Sequence, residues 1–188
     1  MLAKRSFDIV LSVILAILLI VPFLIIAIAV ALTSRGPVFY ISDRVGQGNS
    51  LFKMYKFRTM RRETPTVATH LLAKPEEYLT PVGGLLRKTS FDELPQLLNI
   101  IKGDMSFVGP RPALFNQDDL IGIRTVKGIH VLMPGLTGWA QINGRDELPI
   151  PVKVEYDKYY KDNISFLFDL KILLGTILKV FKKEGVTH

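Results

Sequence analysis

The 188-residue chain carries 24 Lys plus Arg against 17 Asp plus Glu, a formal net charge of +7, and 48% of its residues are hydrophobic. That length is one domain's worth with one modest core, and the basic balance points to anionic partners: phospholipid head groups, a nucleotide diphosphate or nucleic acid. The absence of cysteine excludes a disulfide framework and a thiolate metal site, and the scattered His70, His130 and His188 lack the spacing of a zinc site.

Residues 9–32 contain no charge and are interrupted mainly by Ser12 and Pro22. As a straight helix the run spans about 36 Å at ~1.5 Å per residue, enough for a hydrocarbon core of about 30 Å. One transmembrane helix is the simple reading, and Pro22 opposes it. A mid-helix proline removes a backbone hydrogen bond and clashes with the carbonyl four residues earlier, so a kink is expected. Lys4 and Arg5 precede the run, and Arg35 and Arg44 follow it; basic flanks favour the cytoplasm. A helix that enters, bends near Pro22 and leaves by the same face satisfies both observations, though physics alone leaves crossing and re-entry open. Ala27-Ile28-Ala29 and Ala29-Val30-Ala31 look like signal-peptide cleavage sites, but the apolar run is longer than an ordinary signal core.

Residues 37–41 and 50–58 read as two short strands around the turn Gly46-Gln47-Gly48-Asn49. In the second, Phe52, Met54, Lys56 and Arg58 share one face. Residues 61–80, polar and holding Pro65 and Pro75, read as a loop with about one helical turn. Residues 82–87 form a short helical or turn element and residues 94–101 a helix. Residues 133–145, Met-Pro-Gly-Leu-Thr-Gly-Trp-Ala-Gln-Ile-Asn-Gly-Arg, read as turn, strand, turn, with Asn143-Gly144 supplying positive-φ positions. Residues 152–161 and 166–183 are helical. The last helix sets Phe166, Phe168, Leu170, Leu173, Leu174, Ile177 and Phe181 beside Lys171, Lys179, Lys182 and Lys183. That pattern suits a bilayer interface and equally a face packed on the core.

Ser90-Phe91-Asp92-Glu93-Leu94-Pro95-Gln96 places two adjacent carboxylates at an expected helix start, in a chain that is basic nearly everywhere else. Asp92 as N-cap would put Pro95 at the third helical position, where its missing N–H costs nothing; Ser90 with Glu93 could instead form a capping box. Arg87 and Lys88 upstream and Arg111 downstream favour a chemical role. A carboxylate nucleophile must stay ionised, and a helix N-terminus with nearby cations lowers its pKa.

Behind an apolar N-terminus, that string and the Leu97-Leu98-Asn99-Ile100-Ile101-Lys102-Gly103-Asp104-Met105-Ser106-Phe107-Val108-Gly109-Pro110-Arg111-Pro112 stretch beyond it resemble the small monotopic phosphoglycosyl transferases. The resemblance covers about residues 4–185. It implies transfer of a sugar 1-phosphate from a UDP-sugar to a membrane polyprenyl phosphate (undecaprenyl phosphate), releasing UMP, as the first membrane step of glycoconjugate biosynthesis. The route implied is ping-pong through a covalent phosphosugar-aspartate, with Asp92 as nucleophile and Mg²⁺ contact and Glu93 as its acidic partner. Lys56 in Tyr55-Lys56-Phe57-Arg58-Thr59-Met60, Arg87 in Leu86-Arg87, Arg111 in Gly109-Pro110-Arg111-Pro112 and Arg145 in Asn143-Gly144-Arg145 are carried over as diphosphate-binding cations. Arginine suits phosphate because its planar fork donates two parallel hydrogen bonds.

The same resemblance implies a re-entrant membrane helix over residues 1–35 and a catalytic domain over residues 36–188, on the cytoplasmic face of the bacterial inner membrane. The family usually has Ser-Pro at the helix break, where this chain has Val21-Pro22. It also implies the small type, without the additional transmembrane domain of larger relatives. The expected fold is a mixed α/β domain, mostly helical with short strands and interfacial amphipathic helices. Its expected partners are the UDP-sugar, the polyprenyl phosphate and membrane lipid, with no nucleic acid; a homo-oligomer is compatible with the sequence. The rival is a non-enzymatic, membrane-tethered basic module binding anionic lipid or nucleic acid, which accounts for the charge and the anchor but not for Asp-Glu within a cationic cluster.

Overall fold

A computed structural model describes residues 2–65, 67, 72, 74–144 and 148–182. Two apolar helices open the chain, α1 (Leu2–Leu18) and α2 (Ile20–Thr33), and their axes meet at 65°. Pro22 explains where the bend falls. Its nitrogen cannot donate to the Leu18 carbonyl and its ring crowds that carbonyl, whereas the Leu19 N–H still reaches Leu15 O and the Phe23 N–H reaches Leu19 O, both at 2.9 Å. The break therefore sits at Leu19, one turn ahead of the proline. Among the described residues no single helix is long and apolar enough to cross a membrane; the bent pair meets that test by length and composition.

The first helix starts earlier than the apolar run, because Lys4, Arg5, Asp8 and Ser12 form a polar stripe facing the domain. Lys4 Nζ lies 2.6 Å from Asp169 Oδ2 and 3.1 Å from Val108 O. Arg5 donates to the carbonyls of Ile100 (2.6 Å) and Ile101 (2.9 Å), a cation at the carbonyl end of a helix. Asp8, 2% exposed, accepts from the Phe107 N–H at 3.2 Å. Lys4 and Arg5, the basic flank ahead of the apolar run, are thus engaged by the domain. In α2, Ile26 and Val30 pack with Phe57 and Leu86. The outward faces, including Ile14, Ile17, Leu18, Val21, Leu24, Ile25 and Leu32, stay exposed. Both far ends of the pair dock on the same domain, and Leu15, Ala16 and Phe23 on either side of the bend pack against it as well.

Strands β1 (Phe39–Val45) and β2 (Leu51–Phe57) pair antiparallel, Phe39 with Phe57 and Val45 with Leu51, around a 3₁₀ turn at Gln47–Asn49. Phe52 and Met54 face the core as their alternation requires. Phe57 breaks the alternation and is still buried, because α2 covers the opposite face there. Next come α3 (Gly83–Thr89), a 3₁₀ turn at Phe91–Glu93 and α4 (Gln96–Lys102), which stops at Gly103, φ 97°. Within 61–80 the helical turn is Pro75–Tyr78, also 3₁₀.

Strand β3 (Ser106–Val108) lies parallel to β4 (Gly135–Thr137), with α5 (Asp118–Val126) between them in the chain. The stretch read as turn, strand, turn departs after β4: Gly138 is extended and starts a short helix, α6 (Trp139–Ile142). Helices α7 (Ile150–Asp162) and α8 (Phe166–Lys182) complete a mixed α/β, mostly helical fold. The main core joins Leu97, Ile100, Met105, Phe107, Tyr160 and Ile172. Helix α8 serves both uses its pattern allowed: Phe168, Ile172 and Leu173 pack inward while Leu167, Leu174, Ile177 and Leu178 remain exposed.

Candidate active site

The carboxylate pair sits where α3 reverses. Ser90 has φ 59° and ψ 16°, a left-handed conformation unusual for a residue with a side chain, and its N–H caps α3 by reaching Arg87 O. The chain then enters the 3₁₀ turn bearing Asp92 and Glu93. Neither acid caps a helix by its side chain: α4 begins only at Gln96, with Pro95 before it and no side-chain cap. Both capping explanations are therefore removed. The two carboxylates have no architectural duty at a helix start.

Their cations come from two other segments. Lys56, at the end of β2, places Nζ 2.6 Å from Glu93 Oε1 and 3.8 Å from Asp92 Oδ2. Arg111, after β3, places Nη2 3.2 Å from Glu93 Oε1. Arg87 on α3 adds its charge to the field at Asp92 and holds Nη1 3.4 Å from Met60 Sδ. Lys56, Arg87 and Arg111 thus bring their charges to the dyad; Arg145 lies outside the described residues.

The two acids divide this field unequally. Burial pushes Glu93 upward, but the charges and hydrogen bonds of Lys56 and Arg111 together outweigh it and hold its pKa at about 2. Asp92, 7% exposed, is raised instead, first by burial and then by the neighbouring Glu93 charge, against the pull of Lys56, Arg87 and Arg111. The expected lowering at Asp92 is reversed, because burial outweighs the pull of the cations and Glu93 takes the close contacts with Lys56 and Arg111. Adjacent acids driven apart in this way are a common sign of divided chemical roles.

Two carboxylates with no histidine or third acid suit a hard cation that keeps water and phosphate oxygens as its other ligands; among the described residues no group of three or more His, Asp or Glu could enclose a metal. Asp92 is the residue of the pair that could hold such a cation, since Glu93 is already engaged by Lys56 and Arg111. A cleft lined by Pro110, Arg111, Arg124, Ile129 and His130 lies beside the site and does not include the dyad.

Several supporting residues escaped the sequence reading. Asn99, fully buried, accepts from the Tyr55 N–H at 3.1 Å and donates to Lys53 O at 2.7 Å, fixing the strand that aims Lys56. A lone amide inside Leu97-Leu98-Asn99-Ile100-Ile101 was the available signal. Asn99→Ala strands both backbone groups and should cost on the order of 3 kcal/mol, checked by denaturant or thermal melting; an unchanged midpoint would contradict this role. Arg124 donates through Nη1 to Arg111 O at 2.8 Å while Nε and Nη2 hold Asp157 at 3.0 and 2.6 Å, and nothing in the sequence marked that pair.

The Arg111 loop is also locked to β4. Gly109 donates to Thr137 O and Gly135 donates to Pro110 O, both at 2.9 Å. The backbones lie so close that a Cβ on Gly109 would overlap Met133 O, and one on Gly135 would overlap Gly109 N.

Residues 1–183 match the family described as bacterial sugar transferase. The chain belongs to the bacterial sugar transferase family. As a member it is a phosphoglycosyl transferase, and the non-enzymatic reading falls away. This bacterial sugar transferase is 44% identical to the uncharacterized sugar transferase EpsL of Bacillus subtilis, over 99% of the chain and 91% of that protein. It is 40% identical to the exopolysaccharide production protein ExoY of Rhizobium meliloti, over 97% and 87%. It is also 39% identical to the UDP-glucose:undecaprenyl-phosphate glucose-1-phosphate transferase of Escherichia coli, over 98% of the chain but 41% of that longer enzyme.

Proposed function

We propose that this sugar transferase moves a sugar 1-phosphate from a UDP-sugar to a polyprenyl phosphate, releasing UMP, at the cytoplasmic face of the bacterial inner membrane in exopolysaccharide synthesis. The observation carrying this reading is the buried Asp92 and half-buried Glu93 beside Lys56, Arg87 and Arg111, and the names of the relatives support the substrate classes.

In the first half-reaction an Asp92 carboxylate oxygen attacks the sugar-bearing phosphorus. The phosphoanhydride bond breaks, and UMP leaves with its electron pair. In the second, a phosphate oxygen of the polyprenyl phosphate attacks the same phosphorus, and the Asp92 carboxylate is released. This divides one hard displacement between two anions into two steps. Lys56 and Arg111, oriented by Glu93, offset charge on the diphosphate, Arg87 adds to that field, and Arg145 joins them by motif. Asp92 would hold a Mg²⁺ ion, which when bound would supply positive charge to offset the diphosphate. Excess EDTA should abolish UMP release and Mg²⁺ should restore it; full turnover in EDTA would end the metal assignment.

The bent helix pair is read as a re-entrant membrane element. Support comes from its ends: α1 begins with Lys4 and Arg5 tied to the domain and α2 finishes with Ser34 bonded to Arg58, while exposed apolar residues flank the bend. Single cysteines at Ala3 and Arg35 should react with a membrane-impermeant thiol reagent from one side of sealed vesicles. Labelling from opposite sides would establish a crossing helix. Pro22→Ala restores the missing N–H and should shift part of the population toward crossing, with reduced activity.

A further inference from the structure

One buried cation has no role in this chemistry. Arg58, 4% exposed, donates through Nη2 to both Ser34 O and Ser34 Oγ at 2.8 Å. Its Nε and Nη1 are buried without a hydrogen-bond partner. A guanidinium has five N–H donors and no acceptor capacity, and leaving them unmade inside a protein is costly. Its charged neighbour is another arginine, Arg62. Burial, and then the like charge of Arg62, weaken Arg58's hold on its proton. Among the described residues neither arginine enters an ion pair. The pair lacks a counter-anion.

The surroundings show what kind of anion fits. The cover over Arg58 Nη1 is thin: Gly36, φ 117°, where a Cβ would overlap Nη1 and lie 2.9 Å from Arg62 Cδ. Arg62 is exposed, so an incoming group can reach its guanidinium from solvent. Ser34 caps α2 two residues after the exposed Leu32, and Phe39 and Tyr40 present further exposed aromatic surface a few residues on. The arginines therefore stand where the apolar helix pair gives way to the polar domain.

The geometry points to a phosphate seat at Arg58 and Arg62, beside Gly36 and the end of α2, that takes the phosphate of a membrane lipid at the waterline. It rests on the membrane reading of the helix pair given above. Forked donors match phosphate oxygens, and juxtamembrane arginines are drawn to anionic lipid surfaces. The phosphate has two sources, the diester of a bilayer phospholipid or the monoester of the polyprenyl acceptor, and both present the same oxygens.

The test uses the full chain in detergent and in nanodiscs, with Arg62→Gln and Arg58→Lys. Retention of phosphatidylglycerol is read by native mass spectrometry, and KM for polyprenyl phosphate and for UDP-sugar by UMP release. Each variant should weaken one phosphate ligand about tenfold, the scale of a lost charge-assisted contact, with KM for UDP-sugar unchanged. Lower phosphatidylglycerol retention with the acceptor KM intact assigns the seat to bilayer lipid; a raised acceptor KM with retention intact assigns it to the acceptor. Wild-type retention and acceptor KM in a folded Arg62→Gln protein would overturn the seat, leaving water on the unpartnered nitrogens. A uniform fall in kcat with a lowered melting point would overturn it too, making Arg58 only a clasp on α2. Arg62-dependent lipid retention in a protein that releases no UMP would sink the proposed reaction and leave the seat standing.

Discussion

Purified Asp92→Asn protein is expected to release UMP at least about a thousandfold more slowly than wild type, as for loss of a covalent nucleophile, while keeping its melting transition. The amide is nearly isosteric with the carboxyl and removes a charge that burial already opposes, so the fold should not suffer. Glu93→Gln should behave differently. It releases Lys56 and Arg111 from their shared acceptor, so both substrate binding and turnover should decline, with some activity remaining. Substantial UMP release by Asp92→Asn, or a phosphosugar adduct mapped to another residue of the wild type, would end the covalent assignment.

Residues 36–188 expressed alone should fail to fold as a cooperative unit. Removing α1 strips Asp8 from the Phe107 N–H, Lys4 from Asp169 and Val108 O, and Arg5 from the last carbonyls of α4. It also uncovers the core that Leu11, Leu15 and Ala16 pack against. At about 1–3 kcal/mol for each stranded buried polar group, the sum is comparable with a whole domain's stability of about 5–15 kcal/mol. Near-ultraviolet circular dichroism and a melting curve decide the matter: a sharp transition in the fragment would contradict the expectation.

Local signals were legible where one segment determines its own shape. Pro22 marked the bend to within a turn, and Gly46-Gln47-Gly48-Asn49 marked the hairpin. Features set by distant partners were not. The fate of Lys4 depends on Asp169, 165 residues away. The raised pKa of Asp92 depends on burial and on Glu93 taking the cations, which no local pattern records. The parallel pairing of β3 with β4 spans two three-residue strands, too short for alternation to register. The helical turn at Trp139–Ile142 was read as strand because apolar residues there alternate over only a few positions.

The contact of Gly109 with the backbone around Gly135 bears on how such an enzyme diversifies. Two main chains that touch without side chains between them leave no room for a larger residue on either, so the Arg111 arm and the β4 arm shift together or not at all. A lineage acquiring a new donor sugar has little freedom to resculpt these arms one substitution at a time.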